Sequence, residues 1–228
     1  FNRERYDNLY QDGIFAERGT PEWYRNVRKN DQSTGFLWNA SSAQLGNYPD
    51  RYTVSTALSR VTGSHTAKLG VLYGWGPYRR YNNANGDLYQ TYNNGVPLQV
   101  TVLNTPLEVQ ENMDGQFAAY LQDSWRLGNV TVNYGIRYDR VAQSVVGQDA
   151  QIGRFANSPA YDDIEIPTWT DISPRTSVVW DIFGNGKTAV RAGYNRFMTA
   201  QTVGLAQLYS PTALTTANIA WQDLNGDD

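Results

Sequence analysis

The chain has 228 residues, 19 Lys and Arg against 22 Asp and Glu, and a net charge of -3. Charged residues make up 18%, below the roughly 25% of ordinary soluble domains, so the polarity rests on Asn, Gln, Ser, Thr, Gly and Tyr. There is no basic surplus for nucleic acid and no apolar run near the ~18 residues of a membrane helix, aromatics at 13% argue against disorder, and the absence of cysteine excludes disulfides, thiolate metal sites and a Cys nucleophile.

No segment keeps a helical apolar period over three turns. Residues 1–49 are rich in Asn, Asp, Gly and Tyr and read as a long connection. Residues 52–75 then alternate apolar and polar around Gly63-Ser64. If that pair is a two-residue turn, Thr62 opposes His65, Leu58 opposes Leu69, Val54 opposes Tyr73 and Tyr52 opposes Trp75. A second long stretch, 76–115, contains a short apolar run at 98–103, which reads as an extra strand or small hairpin. Residues 117–139 form the clearest hairpin, around Gly128-Asn129. There Trp125 opposes Val132, Leu121 opposes Ile136 and Ala119 opposes Tyr138, while Gln122/Gly135 and Tyr120/Arg137 share the other face. After a third long stretch, 141–172, residues 175–197 fold around Gly184-Asn185-Gly186, pairing Trp180 with Val190, Val178 with Ala192 and Thr176 with Tyr194. Residues 199–228 are a fourth long stretch. In each hairpin the turn alone sets the register, and it places apolar against apolar; a one-residue slip would scramble both faces.

Short turns alternating with long connections are the layout of an outer-membrane barrel, whereas compact soluble domains rarely carry several loops beyond ~15 residues. The fold expected is all-β: an antiparallel transmembrane β-barrel with long extracellular loops. Spans of about ten residues suit tilted membrane strands. Tyr52, Tyr73, Trp75, Tyr138 and Tyr194 lie toward the long-connection end of the apolar face, and Trp125 and Trp180 toward the short-turn end, as two interfacial girdles require. The opposite face carries Lys68, Arg126, Arg137, Asp139, Arg175, Asp181 and Arg191, which suits a wet lumen better than a dry core. Arg60 and Asp123 fall by parity on the apolar face. Arg60 is near its turn and can snorkel; Asp123 needs either a bulge or a shielding neighbour. Six strands do not close a large lumen, so the chain is expected to be one piece of a larger barrel.

The segments FAAYLQDSWRLGNVTVNYGIRYD (117–139) and ISPRTSVVWDIFGNGKTAVRAGYNRF (172–197) resemble TonB-dependent outer-membrane receptors, closest to the large Oar-like group with a carboxypeptidase-regulatory-like extension. The likeness lies in Tyr120, Gln122, Asp123 and Trp125, in Asn133, Gly135, Arg137, Tyr138 and Asp139, in Ser173-Pro174-Arg175, and in Gly184 to Thr188 followed by Arg191 and Tyr194. Thr62 to Gly70 and Asp223 to Asp227 share it. The resemblance implies a barrel of 22 strands closed by an N-terminal plug that is not in this chain. It also implies energy from the TonB–ExbB–ExbD complex, a Gram-negative outer-membrane location, and an extracellular ligand. The alternative is a passive porin or an adhesive surface barrel.

No catalytic constellation stands out, and no enzyme activity, cofactor or metal site is expected. Asp223, Asn225 and Asp227 alternate as at the start of a calcium loop, but the bidentate Glu of the full loop is missing and an Asx-rich turn is the plainer reading. His65 has no partner ligands in sequence and reads as a turn or interface residue. Gly184 to Thr188 lacks phosphate-loop spacing and leads into a strand. Tyr78, Tyr81, Tyr89, Tyr92, Trp169, Tyr209 and Trp221 could stack on a sugar or grip a peptide, or simply pack the loops together.

Overall fold

The computed structural model describes residues 2–3, 6–8, 16–39, 44–199 and 202–225. In chain order the elements are β1 (Asn2–Arg3), β2 (Tyr6–Asn8), α1 (Pro21–Arg25), β3 (Arg28–Asp31), β4 (Phe36–Trp38), β5 (Gln44–Thr62), β6 (His65–Asn83), β7 (Leu88–Asn93), β8 (Val96–Leu103), β9 (Leu107–Leu127), β10 (Val130–Val145), β11 (Gln151–Ile152), β12 (Asn157–Ser158), β13 (Ile164–Asp181), β14 (Ala189–Asn195), α2 (Gly204–Tyr209) and β15 (Thr216–Ala220).

The main sheet runs β5-β6-β9-β10-β13-β14, all antiparallel, with β1 and β2 against the upper part of β5. Its three tight turns set the registers read from the sequence: Leu58 faces Leu69, Leu121 faces Ile136, and Val178 faces Ala192. Gly63, Gly128, Gly184 and Gly186 supply the positive φ these turns need. The hairpins then join side by side, Leu69 against Leu121 and Ile136 against Pro174. One apolar row therefore crosses five strands, from Leu58 through Leu69, Leu121 and Ile136 to Pro174.

Among the described residues no second layer covers this face. Leu58 is 71% exposed, Leu121 54% and Val178 40%. A water-soluble monomer rarely exposes an apolar area of this extent. Tyr73, Tyr138 and Tyr194 each follow a turn residue (Ser64, Asn129, Asn185) by nine positions. Nine residues rising ~3.3 Å each along strands tilted ~40° span about 23 Å, close to the apolar band of an outer-membrane barrel.

The strands run well past the ten residues expected, to 19 in β5 and β6 and 21 in β9. Parts of the long stretches 1–49, 76–115 and 141–172 are thus upper strand halves. The pairing slips at one level on three neighbouring strand pairs, between Gly74 and Gly76, between Ala142 and Gln143, and between Val141 and Gln143. Polarity reverses across this row of bulges. Below it the outer face is apolar and the inner face polar. Above it Leu107, Val109, Met113, Val145 and Ile166 turn inward and are buried, while Glu108, Gln110 and Asn112 occupy the outer positions of β9. The helix α2 covers the inner face there, packing Ala206 on Val145 and Ile166. Gln143 fixes it, donating to the Thr202 carbonyl (2.7 Å) and accepting from the Ala206 N–H (3.1 Å).

Further segments of the long stretches build a second sheet, ordered β15-β8-β7-β3-β4, with β3 parallel to β7, and β11 pairs with β12 in a sheet of two. The run at 98–103 is part of β8 in the five-stranded sheet. At the base of that sheet Asp87 is fully buried. It pairs with Arg18 at 2.6 and 2.7 Å, and accepts from the Thr105 hydroxyl (2.6 Å) and the Arg154 N–H (2.9 Å). Asp31 clips two turns together. It accepts from the Ser33 hydroxyl and N–H at 2.5 and 2.9 Å, and from the Asn94 and Gly95 N–H groups at 3.3 and 2.6 Å. The Ser33 hydroxyl first, and the Gly95 N–H next, hold its carboxyl down at about 2.

Two outcomes follow from this architecture. Leu69→Arg, on the lipid-facing row, should destabilise the membrane-inserted protein by about 2–4 kcal/mol, while Ser55→Arg, on the inner face, should cost well under about 1 kcal/mol; urea unfolding in lipid vesicles measures both. Because the folded Asp31 carboxyl titrates below its ordinary range, its contribution is complete above about pH 4 and is lost as pH falls toward about 2. Hydrogen exchange at the Asn94 and Gly95 amides should accelerate over that window, and Asp31→Ala should already raise it at least roughly tenfold at neutral pH.

Candidate functional site on the inner wall

Side chains on the inner face below the bulges come from alternate positions of six strands. Two arginines there are neutralised. Arg137 forms a bidentate pair with Asp139, at 2.8 and 2.7 Å, and Arg196 meets Asp171 at 2.5 Å, with the Ser173 hydroxyl on the same carboxylate at 2.8 Å. Asp139 and Ser173 are buried, so these pairs hold the wall rather than face the pore. Arg51 bonds the Gln116 side chain. Two further cations rest on rings. The Lys68 ammonium lies 5.9 Å from the Tyr120 ring centre, and the Arg175 guanidinium 4.8 Å from that of Phe197. Tyr120 can lie across its neighbour strand because Gly70 has no Cβ; one built there would fall 2.4 Å from the ring. Lys68, Tyr120, Gln122, Asn133, Arg137 and Arg175 line one hollow of about 370 Å³.

Asp123 stays on the outer face, in register with Ala67 and Tyr134 and without a bulge. Its neighbours shield it. His65 Nδ1 lies 2.6 Å from its carboxylate and the Tyr134 hydroxyl donates to the same oxygen at 2.8 Å. The His65 ring also stacks on Trp125, 5.3 Å between centres. The lone histidine is thus an interface residue that screens a carboxylate from the apolar surroundings. Arg60 bends toward its turn and donates to the Thr62 hydroxyl at 3.2 Å.

The seven aromatics assigned to loops are not gathered into one site. Tyr78 and Tyr81 belong to the upper half of β6. Tyr78 donates to Asn47 at 2.8 Å; Tyr81 donates to Asp7 at 3.0 Å, and burial first, then its bonds with Tyr48 and Asp7, raise its phenol above the ordinary value. Tyr89 packs on Ala84 and Leu103, and Tyr92 is buried between Trp38 and Trp221. Trp169 shares a crevice with Val141 and Leu205, and Tyr209 ends α2. Trp38 packs on Tyr92 and Tyr48 on Tyr81, and neither carries a signal in the sequence because their stretch shows no alternation. Asn225 donates to Asp223 through its N–H at 3.3 Å, as an Asx turn does; Asp227 lies outside the described residues. Gly184 to Thr188 is a hairpin turn, its Gly186 N–H held by Asp181 at 2.7 Å.

No curated protein and no solved structure matches the chain. A family model described as an outer membrane beta barrel domain matches residues 2–225, nearly the whole length. An uncovered apolar outer face, a polar inner wall and that match together make the chain a member of the outer membrane beta barrel domain family, located in the outer membrane.

Proposed function

We propose that the chain is part of the barrel wall of a TonB-dependent receptor, which takes up a bulky nutrient such as a peptide or glycan with energy from the TonB–ExbB–ExbD complex. The observation that carries this reading is the open arc. Six membrane-crossing strands leave β14 and residues 52–62 of β5 without a further partner strand among the described residues. In an eight-stranded barrel six strands would enclose most of the circle; an arc still open at both edges favours the large barrels whose lumen is plugged. The motifs at 117–139 and 172–197 support the same assignment, as does the loop layer folded over the inner face above the bulges. The reading gives the chain a binding and transport role and no catalytic chemistry.

One observation favours a second reading. The five-stranded outer sheet has a buried charged hub at Asp87 and is a folded surface layer in its own right, as an adhesive or structural barrel would present.

Strains lacking either the gene for the full-length protein or TonB separate the two. Under the transport reading both lose uptake of the same peptide or glycan supplied as sole nutrient. Uptake lost only with the gene identifies a passive pore. Normal uptake with lost cell attachment after removal of 88–103 identifies an adhesin.

A further inference from the structure

We propose that the hollow around Lys68 and Arg175 is an anion station in the pore, binding a carboxylate or phosphate group of the nutrient as it passes. The inference rests on the uptake reading and names the charge of its substrate. The wall treats its cations in two ways. Arg137 and Arg196 are spent on buried or nearly buried carboxylates, Asp139 and Asp171. Lys68 and Arg175 are propped on the rings of Tyr120 and Phe197. A ring orients a cation and shields one side of it, yet leaves its full charge facing outward. No carboxylate pairs with Lys68, Arg126, Arg175 or Arg191 among the described residues, although the whole chain has a net charge of -3. The spanning part of the inner wall is therefore cationic in a chain that is acidic elsewhere. Low-dielectric walls focus such a field into the pore.

The hollow is also furnished for an oxyanion. Gln122 and Asn133 line the same space of about 370 Å³ as the two cations, and Asn133 gives one amide N–H to the Ser177 hydroxyl at 3.2 Å and keeps the other. Its geometry is held from behind: the missing Cβ of Gly70 seats the Tyr120 ring, and the ring seats Lys68. Tyr120 is thus a positioning residue, and Lys68 and Arg175 are the binding groups.

The test is calorimetric titration of citrate and inorganic phosphate into the full-length protein extracted from the outer membrane. Wild type should bind citrate more tightly than phosphate, and more weakly as salt is raised. Lys68→Gln with Arg175→Gln should weaken binding at least tenfold, Lys68→Arg should retain it, and Tyr120→Leu should give a smaller loss without changing the protein's charge. Equal affinity of wild type and the double variant overturns the proposal. So does a wild type that binds neither anion but loses thermal stability on Lys68→Gln with Arg175→Gln, which assigns the cations to carboxylates of another protein segment in the lumen. Binding needs no energy from TonB, so a passive pore would still show it, and failure of the uptake reading remains a separate result.

Discussion

Every peptide group within hydrocarbon must find its partner inside the protein, because lipid offers none. This constraint orders the rest of the molecule. It requires the continuous antiparallel ladders from β5 to β14, and it requires the outer positions on those ladders to be apolar over the thickness of the bilayer only. The end of that requirement is visible in the chain. At the row of bulges the same strands continue without interruption, but the apolar residues change sides. Phe117 and Leu121 of β9 face outward, whereas Leu107, Val109 and Met113 of the same strand are buried on the inner side. A bulge is a cheap way to make that change, since one extra residue reverses the parity of everything beyond it. Below the row the solvent of the outer face is lipid; above it, the outer face meets water and the core lies under the loops.

The polar exceptions on the outer face obey the same rule. A bare carboxylate in the apolar band would be expensive. Asp123 is tolerated because two cross-strand neighbours reach it, Tyr134 from β10 and His65 from the start of β6. The stagger of the hairpins makes this possible: it brings the residue that follows one turn level with the interior of the next strand. The motif position that looks misplaced in a one-dimensional pattern gains its partners from register in two dimensions, both of them on one carboxylate oxygen.

That contrast explains what the sequence could and could not disclose. Each hairpin register depends on a turn of two or three residues and on period-two alternation, both local, so Leu58 opposite Leu69 and Val178 opposite Ala192 were legible. The upper strand halves were not, because the bulges break the alternation and the polarity is inverted beyond them. The outer sheet was less legible still. Its β3–β7 contact is parallel and joins Arg28 to Tyr89, and no local pattern encodes a pairing at that separation. Of the inner wall, parity disclosed which cations share a face. It could not disclose which of them carboxylates neutralise, because Arg196 reaches Asp171 from a different strand segment.

The two unpaired edges take the argument one step further. Residues 52–62 of β5 and all of β14 lie at the level of the apolar band and, among the described residues, present unpaired backbone groups there. Covering them with side chains is not enough, since each bare N–H or C=O in hydrocarbon costs several kcal/mol by itself. Edges in soluble sheets can be protected by charge or by proline. Here proline is absent and charge is sparse: the exposed run on β5 sets Val54, Leu58 and Val61 beside one cation, Arg60, near its turn, and that on β14 sets Val190 and Tyr194 beside Arg191. Edges so composed are built to be paired. An edge of this kind is stable in a bilayer only where another strand completes its ladder, so pairing at β5 and β14 sets how the sheet can close.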